Sequence, residues 1–188
     1  LVLLFDSRSV SLSPLQRPIF HDVFLPQGFT KVQFRKMWSY GNYEVCPLGS
    51  SLISRSEELS TLYLIAKGTL RMELDKNVIG HLTEGSFIGE EQFFNPEKTV
   101  NATATLLCEE DTELLKWNTK ELVDTLSHQP TIRSVFTMTL ARANMRKAAE
   151  TQKTHAMTVK RMQDTLEQAN KKVLKIKKRM GSLYRWGG

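Results

Sequence analysis

The 188-residue sequence is short of several things, and each absence excludes a class of function. It has two cysteines, Cys46 and Cys108, and no CxxC pair, a pattern that fits neither a metal site nor a disulfide framework. They read as two reduced, partly buried thiols in an intracellular compartment. Four histidines, His21, His81, His128 and His155, are scattered without HExxH or similar spacing, so no metal site is expected. There is no Gly-x-Ser-x-Gly elbow, no P-loop and no His/Cys nucleophile arrangement. The adjacent carboxylates Glu90 and Glu91 point apart in a strand or turn, a poor arrangement for shared acid/base work. Nothing argues for an enzyme.

Long apolar runs are missing as well. Leu1-Val2-Leu3-Leu4-Phe5 is far too short to span a bilayer. It reads as the last turn of a membrane helix that precedes this piece of chain, or as a short buried segment. Acidic residues are scarce only at the C-terminal end. Residues 1–141 hold 13 basic and 17 acidic residues, whereas residues 142–188 hold 13 basic residues and three acidic ones, Glu150, Asp164 and Glu167. The net charge of +6 therefore belongs to the tail. A basic arm of this kind meets an acidic surface: anionic lipid, nucleic acid or an acidic protein face.

Three segments follow from the patterning. Residues 6–18 are rich in Ser and Pro, and residues 1–18 are expected to form an extended lead-in. Residues 19–130 open with an apolar helical face, Ile19, Phe20, Val23 and Phe24, ended by Pro26 and Gly28. Thr30 caps a second short helix carrying Val32, Phe34 and Met37. Short β-rich runs then recur at 43–46, 51–53, 62–66, 69–74, 77–82, 102–107 and 113–117. Lys67-Gly68 and Asp75-Lys76-Asn77 supply turn chemistry between them. Many short strands at roughly ten-residue spacing predict a small antiparallel β-roll of jelly-roll type. A helix at 119–128, capped by Asn118 or Thr119, stops near Gln129-Pro130.

Residues 131–188 are expected to form a long basic helix and a short tail. Met145, Ala148, Gln152, His155, Val159, Met162, Leu166, Ala169, Val173, Ile176 and Met180 recur in steps of three and four, a heptad seam. From Val159 onward it is apolar, so Val159, Met162, Leu166, Val173 and Ile176 are the predicted partner-binding face. Lys171, Lys172, Lys175, Lys177, Lys178 and Arg179 would repel a parallel copy, which leaves an acidic partner, an antiparallel arrangement, or a membrane or nucleic-acid surface. The tail lacks interleaved aromatics, which argues against nucleic acid. Tyr184 and Trp186 near the end suit a membrane-interface anchor or a docking peptide.

The segment that carries chemistry is Gly85-Ser86-Phe87-Ile88-Gly89-Glu90, followed by Asn95-Pro96-Glu97-Lys98 and 99–105. A glycine that permits a tight turn, a carboxylate able to accept a ribose hydroxyl, and a cation before a strand make a nucleotide cradle. Phe87, Phe93 and Phe94 suit core or rim packing, with stacking on an adenine as the functional alternative.

Here the sequence resembles the cyclic-nucleotide-binding domain, whose phosphate cassette runs Phe-x-Gly-Glu to an Arg and then an Ala/Thr-rich strand. Gly68 matches the glycine of the preceding hairpin, and Phe87, Gly89 and Glu90 match the front of the cassette. Lys98 falls one residue short of the usual Arg position, and Asn101, Ala102 and Ala104 fall on the following strand. Residues 1–141 also resemble the Popeye domain, a membrane-tethered variant of this fold. That likeness rests on the opening apolar segment, Arg8, Val10, 19–24, Phe34-Arg35-Lys36-Met37, Leu114-Leu115-Lys116-Trp117, Leu122 and Leu126. Val100-Asn101-Ala102-Thr103 stands where the Popeye family has a Phe-Gln-Val-Thr-type motif. The Popeye signature Asp-Ser-Pro-Glu is replaced by Gly89-Glu90-Glu91-Gln92, and the small apolar residues that follow the cassette glutamate are absent.

The resemblance implies an α+β fold, with an antiparallel β-roll between flanking helices. It implies a ligand, cAMP or cGMP, held by Phe87, Gly89, Glu90, Lys98 and Asn101. Lys in place of Arg, with Glu91 and Glu97 nearby, predicts weakened or lost binding. Two functions follow from this reading. One is a non-catalytic regulatory or scaffolding module. The other is an accessory subunit of a membrane complex, on the intracellular or organellar side, with the barrel as docking block and the helix as strut.

Overall fold

The computed structural model describes residues 11–183, with side chains throughout except at 150–156, 158–159, 169–170 and 173–183. Readings placed on residues 1–10 and on Tyr184 and Trp186 lie outside the described residues. The chain divides into two units, Leu1–Asn144 and Met145–Gly188.

The first unit begins with a helical run. α1 (Gln16–Ile19) continues through a π turn (Phe20–Phe24) and a 3-10 turn (Leu25–Gln27). Gly28, at φ 89°, ends it. The helix therefore starts inside the segment expected to be extended, because Leu12, Ile19, Phe20 and Phe24 all bury their side chains. α2 (Lys31–Ser39) opens on a reciprocal capping box between Thr30 and Gln33.

Eight strands follow among the described residues: β1 (Asn42–Cys46), β2 (Ser51–Ile53), β3 (Thr61–Lys67), β4 (Thr69–Leu74), β5 (Asn77–Thr83), β6 (Phe87–Ile88), β7 (Thr105–Cys108) and β8 (Thr112–Asn118). They form two four-stranded antiparallel sheets in the orders β1-β8-β3-β6 and β2-β7-β4-β5. The β4–β5 hairpin closes on Asp75 and Lys76, both at positive φ (50° and 66°), a mirror-image turn whose twist matches its strands. Short α3 (Glu90–Phe94) lies between the sheets in sequence. α4 (Thr119–Ser127) is capped by Asn118, whose Oδ1 accepts from the Glu121 N–H at 3.1 Å. α5 (Pro130–Leu183) follows.

The expected runs at 51–53 and 69–74 coincide with β2 and β4. The run at 102–107 does not. The strand starts at Thr105, because residues 100–102 instead pair with 57–59, through the Leu59 N–H to Val100 O (2.8 Å) and the Ala102 N–H to Glu57 O (2.8 Å).

The core has two parts separated by the β1-β8-β3-β6 sheet. Between the sheets the filling is aliphatic: Ile53, Ile65, Leu70, Leu82, Ile88, Leu106 and Leu114, with Cys46 and Cys108. On the helix side it is aromatic: Phe20, Phe24, Phe29, Phe34, Phe87, Phe93, Trp117 and Phe136. β3 shows why both parts form. Leu62, Leu64 and Ala66 face the helices while Ile65 faces the other sheet, so this strand is apolar on both sides. α5 enters the aromatic part through Ile132, Phe136 and Leu140. Among the described residues, no helix is long and apolar enough to cross a membrane.

Candidate functional site

The cassette segment is pinned at both ends. Gly85 donates its N–H to Ile65 O (2.8 Å), and Ser86 O accepts from the Ile65 N–H (3.0 Å), which brings the chain alongside β3. β6 pairs there, with Leu64 opposite Phe87 and Tyr63 opposite Ile88. The chain must then turn sharply to start α3. Gly89 makes that turn at φ 85°, in the left-handed region. A Cβ at this position would lie 2.4 Å from Thr61 O, so both conformation and space demand glycine.

Glu90 is the first residue of α3 and is buried, at 8% exposure, where it keeps an interaction within the protein. Glu91 is exposed. Gln92 has a role that the sequence reading missed. Its Oε1 accepts from the Val100 N–H (3.2 Å), and its Nε2 donates to Pro96 O (3.3 Å). One side chain thus ties the far ends of the 95–100 loop to α3. The Asn95-Pro96 turn just beyond a glutamine was the available signal, because loop carbonyls and amides need side-chain partners.

The five candidate ligand residues occupy different environments. Gly89 and Glu90 adjoin at the start of α3. Lys98 is exposed on the 95–100 loop, with its N–H bonded to Asn95 O (3.0 Å). Asn101 is exposed and bridges Glu58. Phe87 is fully buried in the aromatic core, its ring 6.2 Å from Phe24 and 6.1 Å from Phe136. Of the other two phenylalanines, Phe93 is buried and Phe94 is partly exposed (38%). A cavity of about 310 Å³ is lined by Pro14, Leu15, Pro18, Ala66, Lys67, Glu84 and Glu113, and shares no residue with segment 87–101.

The barrel's two arginines are already held by carboxylates. Arg55 bonds Asp75 at 2.5 Å. Arg71 lies 2.8 Å from Glu73 and 3.7 Å from Glu109, and Glu109 also faces His81 at 3.4 Å. Lys98, exposed on the 95–100 loop, offers a single point charge rather than a planar fork.

α3 is mechanically connected to α5. The Phe93 ring meets Phe136 at 5.5 Å, edge to face, and Phe136 also contacts Trp117 at 6.0 Å. These rings place α3 directly against the first turns of α5.

The two cysteines meet inside the barrel although they are distant in sequence. Both are free and buried, and the Cys46 sulfur lies 3.2 Å from Ser50 Oγ. Burial, with the neighbouring Cys46 thiol, pushes the Cys108 thiol up to about 11. The neutral thiol is a poor nucleophile. Native protein at pH 8 is expected to leave Cys108 unmodified by a chromogenic disulfide reagent, whereas both thiols react in denaturant. Rapid titration of two thiols in native protein would contradict this. Among the described residues, no group of three His, Cys, Asp or Glu is arranged to hold a metal ion.

This architecture recurs in known proteins. Residues 44–129 match the family model described as the cyclic nucleotide-binding domain. A cyclic nucleotide-binding domain from Methylobacillus flagellatus superposes with TM-score 0.60 at 16% identity, covering 71% of this chain and 80% of that one. A cyclic nucleotide-binding protein from Geobacter metallireducens gives 0.57 at 14%, covering 72% and 98%. The catabolite activator protein of Thermus thermophilus gives 0.53 at 23%, covering 74% and 63%. No curated protein sequence matches the chain. Two antiparallel four-stranded sheets, a glycine-turned cassette helix and the matched stretch 44–129 together place this chain in the cyclic-nucleotide-binding fold.

Proposed function

We propose that this protein is a non-catalytic regulatory module that binds cAMP or cGMP weakly and acts on a protein partner through α5. The carrying observation is the cassette itself. Gly89 keeps its left-handed turn and Glu90 its buried place at the head of α3, while the cation behind them is an exposed Lys98. The backbone that cradles a cyclic phosphate is retained and the bidentate contact is not. Replacing an Arg–phosphate pair by a single lysine contact removes about 1.5–3 kcal/mol, roughly ten- to a hundredfold in affinity.

Calorimetric titration of the purified chain with cAMP and cGMP tests this. Wild type is expected to bind with a dissociation constant of about 100 µM or weaker, and Lys98→Arg about tenfold or more tighter. Submicromolar binding by the wild type, or no heat from either protein at millimolar ligand, would sink the reading. Transmission then runs from α3 through Phe93 and Phe136 to α5, a population shift that needs a differential contact in the two states.

A second reading is favoured by the exposed apolar residues of α5. Met145, Met162 and Leu166 are 72%, 67% and 62% exposed, more than a helix in water gains by displaying. On this reading the protein is a Popeye-like accessory subunit of a membrane assembly, on its intracellular or organellar side, with the helix as strut. Deleting 145–188 should then release it from the assembly while the barrel stays folded.

A further inference from the structure

We propose that the helix beyond residue 144 pairs with an acidic helix of a different protein, as one strand of a heterotypic coiled coil. This rests on the reading of α5 as a partner-binding element. Met145, Met162 and Leu166 are exposed on it. In sequence they share a three-and-four spacing with Val159, Ala169, Val173, Ile176 and Met180, whose side chains lie outside the described residues. The apolar run from Val159 to Met180 covers three heptads, a seam about 33 Å long at 1.5 Å per residue.

Charge decides what covers the seam. Residues 171–179 contain six basic residues and no acidic one, and the described Lys160, Arg161, Lys171 and Lys172 are exposed. A parallel second copy sets the six cations against six more. An antiparallel copy sets them against 160–167, where two cations balance Asp164 and Glu167. Glu167 is moreover already engaged on its own helix, 4.0 Å from Lys171. Neither arrangement of two copies brings an acidic run to the basic one. A lipid surface wants a broad apolar face, whereas two seam positions in seven, joined by Leu174 alone in the last heptad, make the narrow stripe of a coiled coil. A helix with Glu or Asp flanking its own apolar seam satisfies both the stripe and the charge.

The test uses the full chain and designed peptides of roughly four heptads with Val and Leu at the seam. The flanking positions carry Glu, Gln or Lys in three versions, and a fourth peptide has the Glu composition in scrambled order. The Glu peptide is expected to bind one to one with a micromolar constant, at least tenfold tighter than the other three and weakening with salt. Leu166→Lys should weaken it about tenfold while the barrel's melting midpoint is unchanged. Equal binding by the Gln or scrambled peptide would overturn the acidic coiled-coil assignment alone. A chain that sediments as a dimer, or that binds phosphatidylserine vesicles in preference to the Glu peptide, would replace the occupant by a second copy or a membrane. Binding to none of these probes would remove the partner-binding reading itself.

Discussion

Replacing Gly89 by alanine is expected to destabilise the protein by about 3 kcal/mol or more, lowering the thermal midpoint by roughly 6–12 °C. Two costs add. Alanine at a φ of 85° carries the left-handed penalty of roughly 1–2 kcal/mol. Its Cβ also meets Thr61 O at 2.4 Å, a backbone atom in a paired central strand that cannot swing aside. Gly28 separates the two costs, because it has nearly the same φ, 89°, and nothing within 4 Å of the position a Cβ would take. Gly28→Ala should therefore carry only the conformational penalty, about 1–2 kcal/mol. Thermal or urea unfolding of the two variants checks this. Equal losses would show that Thr61 does not constrain the cassette turn. Gly89→Ala should also impair any nucleotide binding in the molecules that remain folded, because relief of the clash moves Glu90 with it.

The second large effect is expected at Phe136. This ring is fully buried and touches Phe24, Phe87, Phe93 and Trp117, at centroid distances of 5.5–6.4 Å. It is where the N-terminal helical run, β6, α3, β8 and α5 meet. Phe136→Ala removes those contacts and leaves a void, at a cost of about 3–5 kcal/mol. Met138, two residues along the same helix and 47% exposed, is the control, and its alanine variant should stay within about 0.5 kcal/mol. Similar losses from the two variants would mean that α5 is not anchored by this ring. Phe136 also tests function. If α3 acts on α5 through Phe93, a Phe136→Leu variant that stays folded should retain whatever nucleotide affinity the wild type has. It should lose any effect of nucleotide on the helix, read by hydrogen exchange over 130–144.

Much of the fold is legible locally. The β2 and β4 spans, the Asp75-Lys76 turn, the Thr30 and Asn118 caps and the break at Gln129-Pro130 each depend on a few adjacent residues. Their chemistry is read at that range. The exceptions are instructive. β6 is two residues long and has no periodicity of its own, so it exists only because β3 offers it a partner. The run from residue 102 looks like the start of a strand, but residues 100–102 pair with 57–59 because the Gln92 side chain and the backbone of Glu57 and Leu59 claim their amides and carbonyl.

The candidate site divides in the same way. Gly89 and Glu90 are recognisable because the turn and the helix start lie next to each other in sequence. The sequence reading could not tell whether Phe87 faces a ligand or the core. β6 sets Phe87 opposite Leu64, and its ring lies on the helix side against Phe24 and Phe136.

The sequence by itself determined the β-roll, the helices around it and the basic tail. All of these follow from hydrophobic period, turn chemistry and charge, which act over a few residues. Only the tertiary structure decided the rest. It set an aromatic layer on one side of the central sheet and an aliphatic one on the other, engaged Arg55 with Asp75 and Arg71 with Glu109, brought Cys46 to Cys108, and packed the cassette helix on Phe136. These are contacts between segments far apart in the chain. They depend on strand register and on which face each side chain takes, and no short window of sequence specifies either.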